Sequence, residues 1–241
     1  MNKMLNDPFD KEEDDDVVVT DQPSPRPKDA ATIILIRTDT GAPTVLMGKR
    51  SGRHDFMPDK YVFPGGRVDP QDGRVPSLTE LHPRSEEKLR IGARRQPRAF
   101  ALTAVRELFE ETGLIAGKPA EMPVRASPGW ERFHDMDVAP CLHGLRFIGR
   151  AVTPPYRPKR FDARFFMALA DEALIDDRPP ADGHELHDLQ WVTLDDAMAL
   201  DLPSVTRFML GEIGERLKRP SDQPDPPFLR WTQRGHKMDR L

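Results

Sequence analysis

The segment at 99–114, AFALTAVRELFEETGL, constrains the fold of this chain more than any other. Read as a helix, it gathers its apolar side chains on one face, while Glu107, Glu110 and Glu111 cluster on roughly the opposite face. Like charges at these i, i+3 and i+4 spacings weaken an isolated helix by about 0.2–0.5 kcal/mol per pair. The cluster is therefore explained by a freely solvated face or by a bound cation, and three carboxylates on a rigid helix suit Mg²⁺ or Mn²⁺. Gly113 is typical of a helix end.

Part of this segment also carries a family resemblance. Residues 106–114, RELFEETGL, fill every fixed position in the second half of the Nudix box, R-E-U-x-E-E-x-G-U, in which U is aliphatic. The first half of that box, G-x5-E, resembles Gly66 to Asp72, which overlaps the sequence FPGG at 63–66. Asp72 stands where Glu is usual, and 33 residues separate it from Arg106 where the standard box has seven. The chain thus resembles the Nudix hydrolases.

The long separation defines an insert at 73–98. Some branches of the family, including one of coenzyme A diphosphatases, have an insertion at this place. Another frame puts Gly92 at the standard distance before Arg106, but Arg98 then occupies the acidic position, so we reject it. The insert is charged and broken by proline, which predicts one or two short helices that either cap the substrate or decorate the surface.

The resemblance implies an α/β fold, the Nudix α/β/α sandwich, with a mixed β-sheet and a helical insert within the Nudix box. The domain is expected at 29–218, after a disordered acidic and proline-rich tail at 1–28 and before a C-terminal tail at 219–241. The alternative for this C-terminal segment is that its Phe228, Leu229 and Trp231 dock on the domain or on a second subunit. Apolar, β-branched runs predict strands, and a last amphipathic run predicts a closing helix. These elements are strands at 30–37, 44–49, 61–63, 144–153, 161–168 and 184–192, and a helix at 204–218.

The same resemblance implies the roles of the box residues. Glu107 and Glu111 would be the main ligands of Mg²⁺ or Mn²⁺, and Glu110 and the carbonyl of Gly66 would complete the metal site. Arg106 would orient Glu107 or Glu110 through a paired hydrogen bond that lysine could not reproduce. Arg106, Glu110 and Glu111 are therefore expected to take part in catalysis.

The general base is less constrained. Members of the family take it from the box or from a downstream loop, so Glu110 and Glu185 are both candidates, and surface solvation is the favoured explanation of Glu185 taken by itself. Four basic residues downstream of the box, between it and Glu185, either receive phosphate or form a solvated rim: Arg157, Lys159, Arg160 and Arg164.

Residues before the box predict contacts with the substrate. In members that hydrolyse coenzyme A, this region resembles L-L-T-x-R-[SA]-x3-R-x3-G. Arg50 and Ser51 fit that motif, Asp occupies its second Arg and its Gly positions, and Arg53 could substitute for the missing Arg. Both arginines are also explained as solvated loop charges. Gly65 and Gly66 allow the backbone to approach a ligand and to adopt dihedral angles that other residues avoid.

Composition limits the partners. The net charge of −4 gives no support for nucleic-acid binding, and no apolar run approaches the length of a membrane span. One cysteine, Cys141, leaves no internal disulfide. We expect a cytoplasmic protein that binds a small nucleotide-type molecule, with a homodimer possible because dimers are frequent in the family.

The expected activity is metal-dependent hydrolysis of a diphosphate bond in a nucleoside diphosphate linked to another moiety. Coenzyme A or acyl-coenzyme A is the first substrate candidate, since the insert and the Arg50-Ser51 pair both favour it. ADP-ribose or another sugar nucleotide is the alternative within the same chemistry. A nucleotide-binding Nudix module without turnover is the alternative from another class.

Overall fold

The computed structural model describes residues 24–39, 41–52, 57–121, 127–232 and 235–241. Their helices are α1 (Pro83–Arg90), α2 (Pro97–Thr112), α3 (Glu131–Asp135), α4 (Ala170–Ala173), α5 (Leu194–Ala199) and α6 (Ser204–Lys218), with a 3-10 turn at Asp72–Arg74. The strands are β1 (Lys28–Arg37), β2 (Thr44–Arg50), β3 (Tyr61–Val62), β4 (Gly65–Arg67), β5 (Lys118–Pro119), β6 (Val138–Ala139), β7 (Arg146–Val152), β8 (Phe161–Leu169), β9 (Leu186–Thr193), β10 (Pro227–Thr232) and β11 (Gly235–Arg240).

Most of the strands form one mixed sheet. Its order is β11-β10-β7-β8-β1-β2-β3, with β4 paired to β1 and β9 paired to β2. The β1–β8 and β7–β10 pairs are parallel, whereas the other pairs of this sheet are antiparallel. The strands predicted at 30–37 and 44–49 are confirmed as β1 and β2, which form an antiparallel hairpin with Ile36 opposite Val45.

Both faces of the sheet are covered, which confirms the α/β/α sandwich. Along β1, Ile33 and Leu35 point into the core shared with α2, while Ile34 and Ile36 point into the core shared with α6. All four side chains are fully buried. A continuous apolar run rather than an alternating one is the pattern expected of such a central strand.

The principal helices lie where the sequence predicts them. The structure starts α2 two residues before the predicted segment and ends it at Gly113, whose φ of 72° requires the left-handed conformation that glycine tolerates. The closing helix α6 matches the predicted bounds. Thr193 caps α5, since its hydroxyl accepts a hydrogen bond from the Asp196 amide at 3.1 Å.

The C-terminal segment at 219–241 is not a tail, and that expectation was wrong. It forms β10 and β11, which extend the sheet beyond β7. Leu229 is fully buried beneath α6 and pairs in parallel register with Ala151. Apolar burial of this kind and the ladder hydrogen bonds hold the segment on the domain. Most of the predicted N-terminal tail lies outside the described residues, and β1 already begins at Lys28, within its predicted range.

Candidate active site

The two halves of the box meet in space despite the insert. The Arg106 guanidinium donates to both carboxylate oxygens of Asp72, from Nε to Oδ1 at 2.9 Å and from Nη2 to Oδ2 at 3.1 Å. Thr103 Oγ1 and Trp130 Nε1 also donate to this carboxylate, at 2.7 and 3.0 Å. Arg98, the acidic position of the rejected frame, instead donates to the carbonyls of residues 73 and 75. Asp72 is therefore the acidic residue that completes the first half of the box.

The electrostatics of Asp72 follow from these contacts. Its side chain is fully buried, and burial alone would raise its pKa. The hydrogen bonds and charge of Arg106, with the Thr103 hydroxyl and the Asp69 amide, outweigh that effect and hold the pKa of Asp72 below its ordinary value. Asp72 is thus an anion at neutral pH, and it fixes the position of Arg106.

Arg106 extends from this anchor to the helix carboxylates. Its Nη1 lies 2.9 Å from both Glu107 Oε1 and Glu110 Oε2, and Nη2 donates to the carbonyl of Arg67 at 3.0 Å. Burial would lower the pKa of Arg106, but Asp72, Glu107 and Glu110 together raise it above its ordinary value. The structure therefore places Arg106 where it contacts both glutamates that it was predicted to orient.

Gly66 admits the Glu107 carboxylate into the site. A Cβ atom built on Gly66 would collide with that carboxylate, so any other residue would have to displace it. The backbone of Gly65 and Gly66 has no left-handed φ, and the second reason predicted for these glycines was therefore wrong. At both glycines the close approach alone excludes a side chain, since a Cβ on Gly65 would lie 2.6 Å from the carbonyl oxygen of Ala31.

Of the three clustered glutamates, Glu111 is buried and Glu107 is half-buried, and the charge of each is incompletely compensated. Burial raises the pKa of Glu107 to about 7, against the opposing charge of Arg106. Glu111 is 4% exposed, and burial, followed by repulsion from Glu107, raises its pKa well above the ordinary value even though the Gly65 amide donates to Oε2 at 2.8 Å. Glu110 differs, since its carboxylate is part-exposed and bound to Arg106.

The donor set fits a hard divalent cation. A positive ion would compensate both the cost of burying the Glu107 and Glu111 charges and their mutual repulsion, the two effects that raise the pKa of these residues. The fit rests on these two carboxylates. Within the described part of the chain, no three His, Cys, Asp or Glu side chains are already gathered into a metal cluster. The full predicted set of Gly66, Glu107, Glu110 and Glu111 stays a prediction.

A cavity of about 390 Å³ opens beside these carboxylates. At its polar end the lining includes Arg50, Gly66, Glu107 and Glu185. Glu185 contributes to raising the pKa of both Glu107 and Glu111, and its carbonyl accepts a hydrogen bond from the Ser51 amide at 3.0 Å. The cavity therefore brings together several of the predicted site residues, whereas Arg53 lies outside the described residues.

From the polar end, the cavity continues across the α6 face of the sheet. Its floor is apolar and includes Ala163 and Phe165 of β8 and Ala151 of β7. Its far wall includes Tyr156 and Arg157, from the loop between β7 and β8. Sequence reasoning missed this apolar portion entirely. The aromatic residue within the proline-rich loop PPYRPKR was its one available signal.

The downstream basic residues separate into different roles. Arg157 lines the cavity, whereas Arg160 donates to the Thr153 carbonyl at 3.0 Å. Arg164 is 1% exposed, pairs with Asp162 at 2.8 Å and stacks on Phe100 at 4.2 Å, and burial lowers its pKa to about 10. Arg164 belongs to the core and is neither a phosphate ligand nor a solvated rim charge.

The insert packs away from the cavity. Leu81 and Leu89 are buried in the core on the α2 face, and none of the described residues at 73–98 lines the cavity. The Phe147 amide of β7 donates to Ser85 Oγ at 3.1 Å, which attaches the insert to the sheet. The capping alternative is therefore not supported, and the insert covers strands that α2 alone leaves uncovered.

Comparison with known proteins places this geometry in a family. The model of the NUDIX domain matches residues 26–209, and the chain therefore belongs to the Nudix family. A Caenorhabditis elegans protein named "Putative nudix hydrolase 7" is 29% identical over 178 residues, which make up 68% of this chain and 51% of that protein. The chain thus spans about half the length of this curated relative.

A solved structure agrees with the fold. The crystal structure of a Nudix hydrolase from Alicyclobacillus acidocaldarius superposes with a TM-score of 0.59 at 27% identity, covering 78% of this chain and 91% of that one. Among the described residues, no helix has the length and apolar character needed to cross a membrane.

Proposed function

We propose that this protein hydrolyses a diphosphate bond in a nucleoside diphosphate linked to another moiety, with Mg²⁺ or Mn²⁺. The observation that carries the proposal is the half-buried carboxylate of Glu107, which lines the polar end of a substrate-sized cavity, with the buried carboxylate of Glu111 bound to the amide of Gly65 in the same lining. Burying incompletely compensated anions is costly unless a cation or a proton accompanies them. A diphosphatase needs such a cation site next to its substrate.

The residues of the chain divide the remaining work. A divalent ion held by Glu107, Glu111 and the Gly66 carbonyl would neutralise diphosphate charge, polarise a phosphorus atom and favour deprotonation of water. Arg106, fixed by Asp72, holds the Glu107 carboxylate in place. Arg50 lines the same end of the cavity and would offer its guanidinium to a diphosphate oxygen.

Glu185 is our choice for the general base. It lines the cavity close enough to Glu107 and Glu111 to affect the pKa of both. Its carboxylate would accept the proton of the attacking water. Glu110 is the weaker choice, because Arg106 binds its carboxylate at 2.9 Å and it does not line the cavity.

Coenzyme A or an acyl-coenzyme A is our first substrate candidate, on the resemblance of the insert position and of Arg50-Ser51 to that branch. ADP-ribose or another sugar nucleotide would use the same polar end. The decisive assay supplies the purified chain with Mg²⁺ or Mn²⁺ and coenzyme A, acetyl-coenzyme A, ADP-ribose, dinucleoside polyphosphates and nucleoside triphosphates. Chromatography of the products identifies the bond that is cleaved.

A paired variant tests the metal assignment. Glu111→Gln keeps an oxygen that can accept the Gly65 N–H but removes a charge, so we expect kcat to fall at least about a hundredfold with the fold retained. Glu215→Gln, at an exposed residue of α6, is the matched control and should leave kcat unchanged. Binding of these molecules without turnover would favour the non-catalytic module, and equal activity of the two variants would contradict the assignment of Glu111.

A further inference from the structure

Three aromatic rings from distant parts of the chain meet at the far end of the cavity. Tyr156 lines the cavity and contacts Trp231 of β10 edge to face, with ring centroids 5.2 Å apart. Trp231 in turn contacts His236 of β11 at 4.4 Å, again nearly perpendicular. The C-terminal hairpin therefore supports the cavity wall from behind.

The hairpin that carries Trp231 is firmly anchored. Leu229, two residues earlier on the same face of β10, is fully buried and pairs with Ala151, itself part of the cavity floor. On the other face, the Arg150 guanidinium stacks on Phe228 at 4.4 Å and is bound by Asp162. A ring held on such a support can restrain the Tyr156 loop at little further entropic cost.

The strand order gives the lateral separation between β4, which lies beside the carboxylates, and β7, which leads into the Tyr156 loop. Starting from Gly66 on β4, the neighbours across the sheet are β1, β8 and then β7, whose end leads into the Tyr156 loop. Three inter-strand steps of about 4.8 Å amount to roughly 14 Å. A diphosphate at the polar end therefore leaves room for a ribose across the apolar floor and places the next planar group near Tyr156.

We propose that Tyr156 is the stacking surface for the nucleobase of the substrate and that Trp231 is a positioning residue that holds it there. The inference rests on the proposed function for the location of the diphosphate. A phenol ring offers a π-face to any planar base, and stacking of a base on that face removes apolar surface from water. Tyr156 would thus contribute to substrate binding and not to the chemical step.

The test measures equilibrium binding, so that it does not depend on turnover. Two probes share one charged group: α,β-methylene ADP, which carries a base, and methylenediphosphonate, which does not. Titration calorimetry with Mg²⁺ gives the Kd of each for the wild type, Tyr156→Ala, Tyr156→Phe, Trp231→Ala and Trp231→Phe. Met238→Ala is the matched control, since Met238 is an exposed apolar residue of the same hairpin.

We expect Tyr156→Ala to weaken binding of α,β-methylene ADP about tenfold and leave methylenediphosphonate unchanged. Trp231→Ala should show the same selective loss to a smaller extent. Both Phe variants should stay within about threefold of the wild type, because an aromatic ring remains. For any substrate that is hydrolysed, KM should rise with kcat unchanged.

Three results would overturn the proposal. One is an unchanged affinity of Tyr156→Ala for α,β-methylene ADP. Another is an equal loss for both probes, which indicates a merely structural role. The third is a wild type that binds α,β-methylene ADP no more tightly than methylenediphosphonate. Absence of hydrolysis with selective loss of the base-bearing probe would refute the proposed function alone.

Discussion

The two ends of the cavity are built by opposite physical means. Behind the polar end, Asp72 and Arg106 form a buried ion pair, and Arg106 also pairs with the half-buried Glu107 that lines the cavity, so that these three charges depend on one another. Beyond the polar end, Phe165 of the floor and Tyr156 of the far wall present uncharged surface, with Arg157 beside Tyr156. Removing one member of a buried ionic chain leaves an uncompensated charge, whereas an apolar wall tolerates replacement by a similar shape. The polar end is therefore suited to a chemical step, and the far end is suited to discrimination between substrates by shape.

The largest expected effect concerns Gly66 at the polar end. In Gly66→Ala the added methyl group must displace the Glu107 carboxylate, and a misplacement of about 1 Å can cost on the order of a hundredfold in rate. We expect kcat to fall at least that much with KM little changed. Gly211→Ala is the control, because a Cβ there meets no atom within 4 Å and alanine favours the helix.

Steady-state kinetics on both glycine variants, with circular dichroism to verify the fold, decides the matter. Retained kcat in Gly66→Ala would show that the position of Glu107 is not critical and would remove the contrast between the two ends.

The next effect is on stability. Asp72→Asn removes the carboxylate that pairs with the buried guanidinium of Arg106. Because this charge is then left partly uncompensated, we expect the free energy of unfolding to fall by about 3 kcal/mol. The control Asp176→Asn affects an exposed ion pair with Arg178 and should change it by less than about 0.5 kcal/mol. Urea denaturation measures both. Equal losses would mean that the pair of Asp72 and Arg106 contributes no more than a surface pair.

The pH dependence of the same pair provides an independent measurement. Burial raises the pKa of Asp72, but the contacts with Arg106 outweigh it and the folded-state pKa lies below the unfolded one. The contribution of Asp72 to the free energy of unfolding is therefore complete above about pH 4, and it is lost as the pH falls through the folded-state pKa. The wild type should lose more stability than Asp72→Asn across that acidic range.

The smallest expected effect is at the apolar floor. Ala163→Leu adds volume beside Phe165, so KM should rise about tenfold for every cleaved substrate with kcat within about twofold. Ala199→Leu, at an exposed residue of α5, should change neither KM nor kcat. Michaelis–Menten measurements on both variants suffice. A fall in kcat without a rise in KM would mean that the floor takes part in the chemical step and that the two ends are not distinct.

The polar end was largely predictable because its chemistry fixes residue types at fixed spacings. The sequence RELFEETGL predicted the helix α2, the glycine at its end and the contact of Arg106 with the helix glutamates. The position of Asp72 in the box was also predictable, since only one frame supplied an acidic residue there, but its ion pair with Arg106 was not predicted. The separate orientation of the Glu110 side chain was not predictable, because side-chain rotamers decide whether its carboxylate contacts Arg106 or faces the cavity.

The far end could not be predicted, since it depends on pairings between strands that are remote in sequence. The segment around Trp231 has little periodicity of its own, and only its pairing with β7 gives it a place. Proline-rich sequence before it suggested a tail, although the run from 227 to 232 contains the apolar residues that the sheet edge buries. Sequence patterns report local structure well and such tertiary pairings poorly.

The bond between Asp72 and Arg106 also explains how the box tolerates 33 intervening residues. The entropy of closing a flexible loop grows only with the logarithm of its length, so replacing seven residues by 33 costs roughly 1.4 kcal/mol. The contact between Asp72 and Arg106 holds the two ends of the segment together, while Leu81 and Leu89 within it pack in the core. Sequence can accordingly be added to this segment at a small entropic cost as long as its buried side chains are kept, and the position of Arg106 against Asp72 need not change.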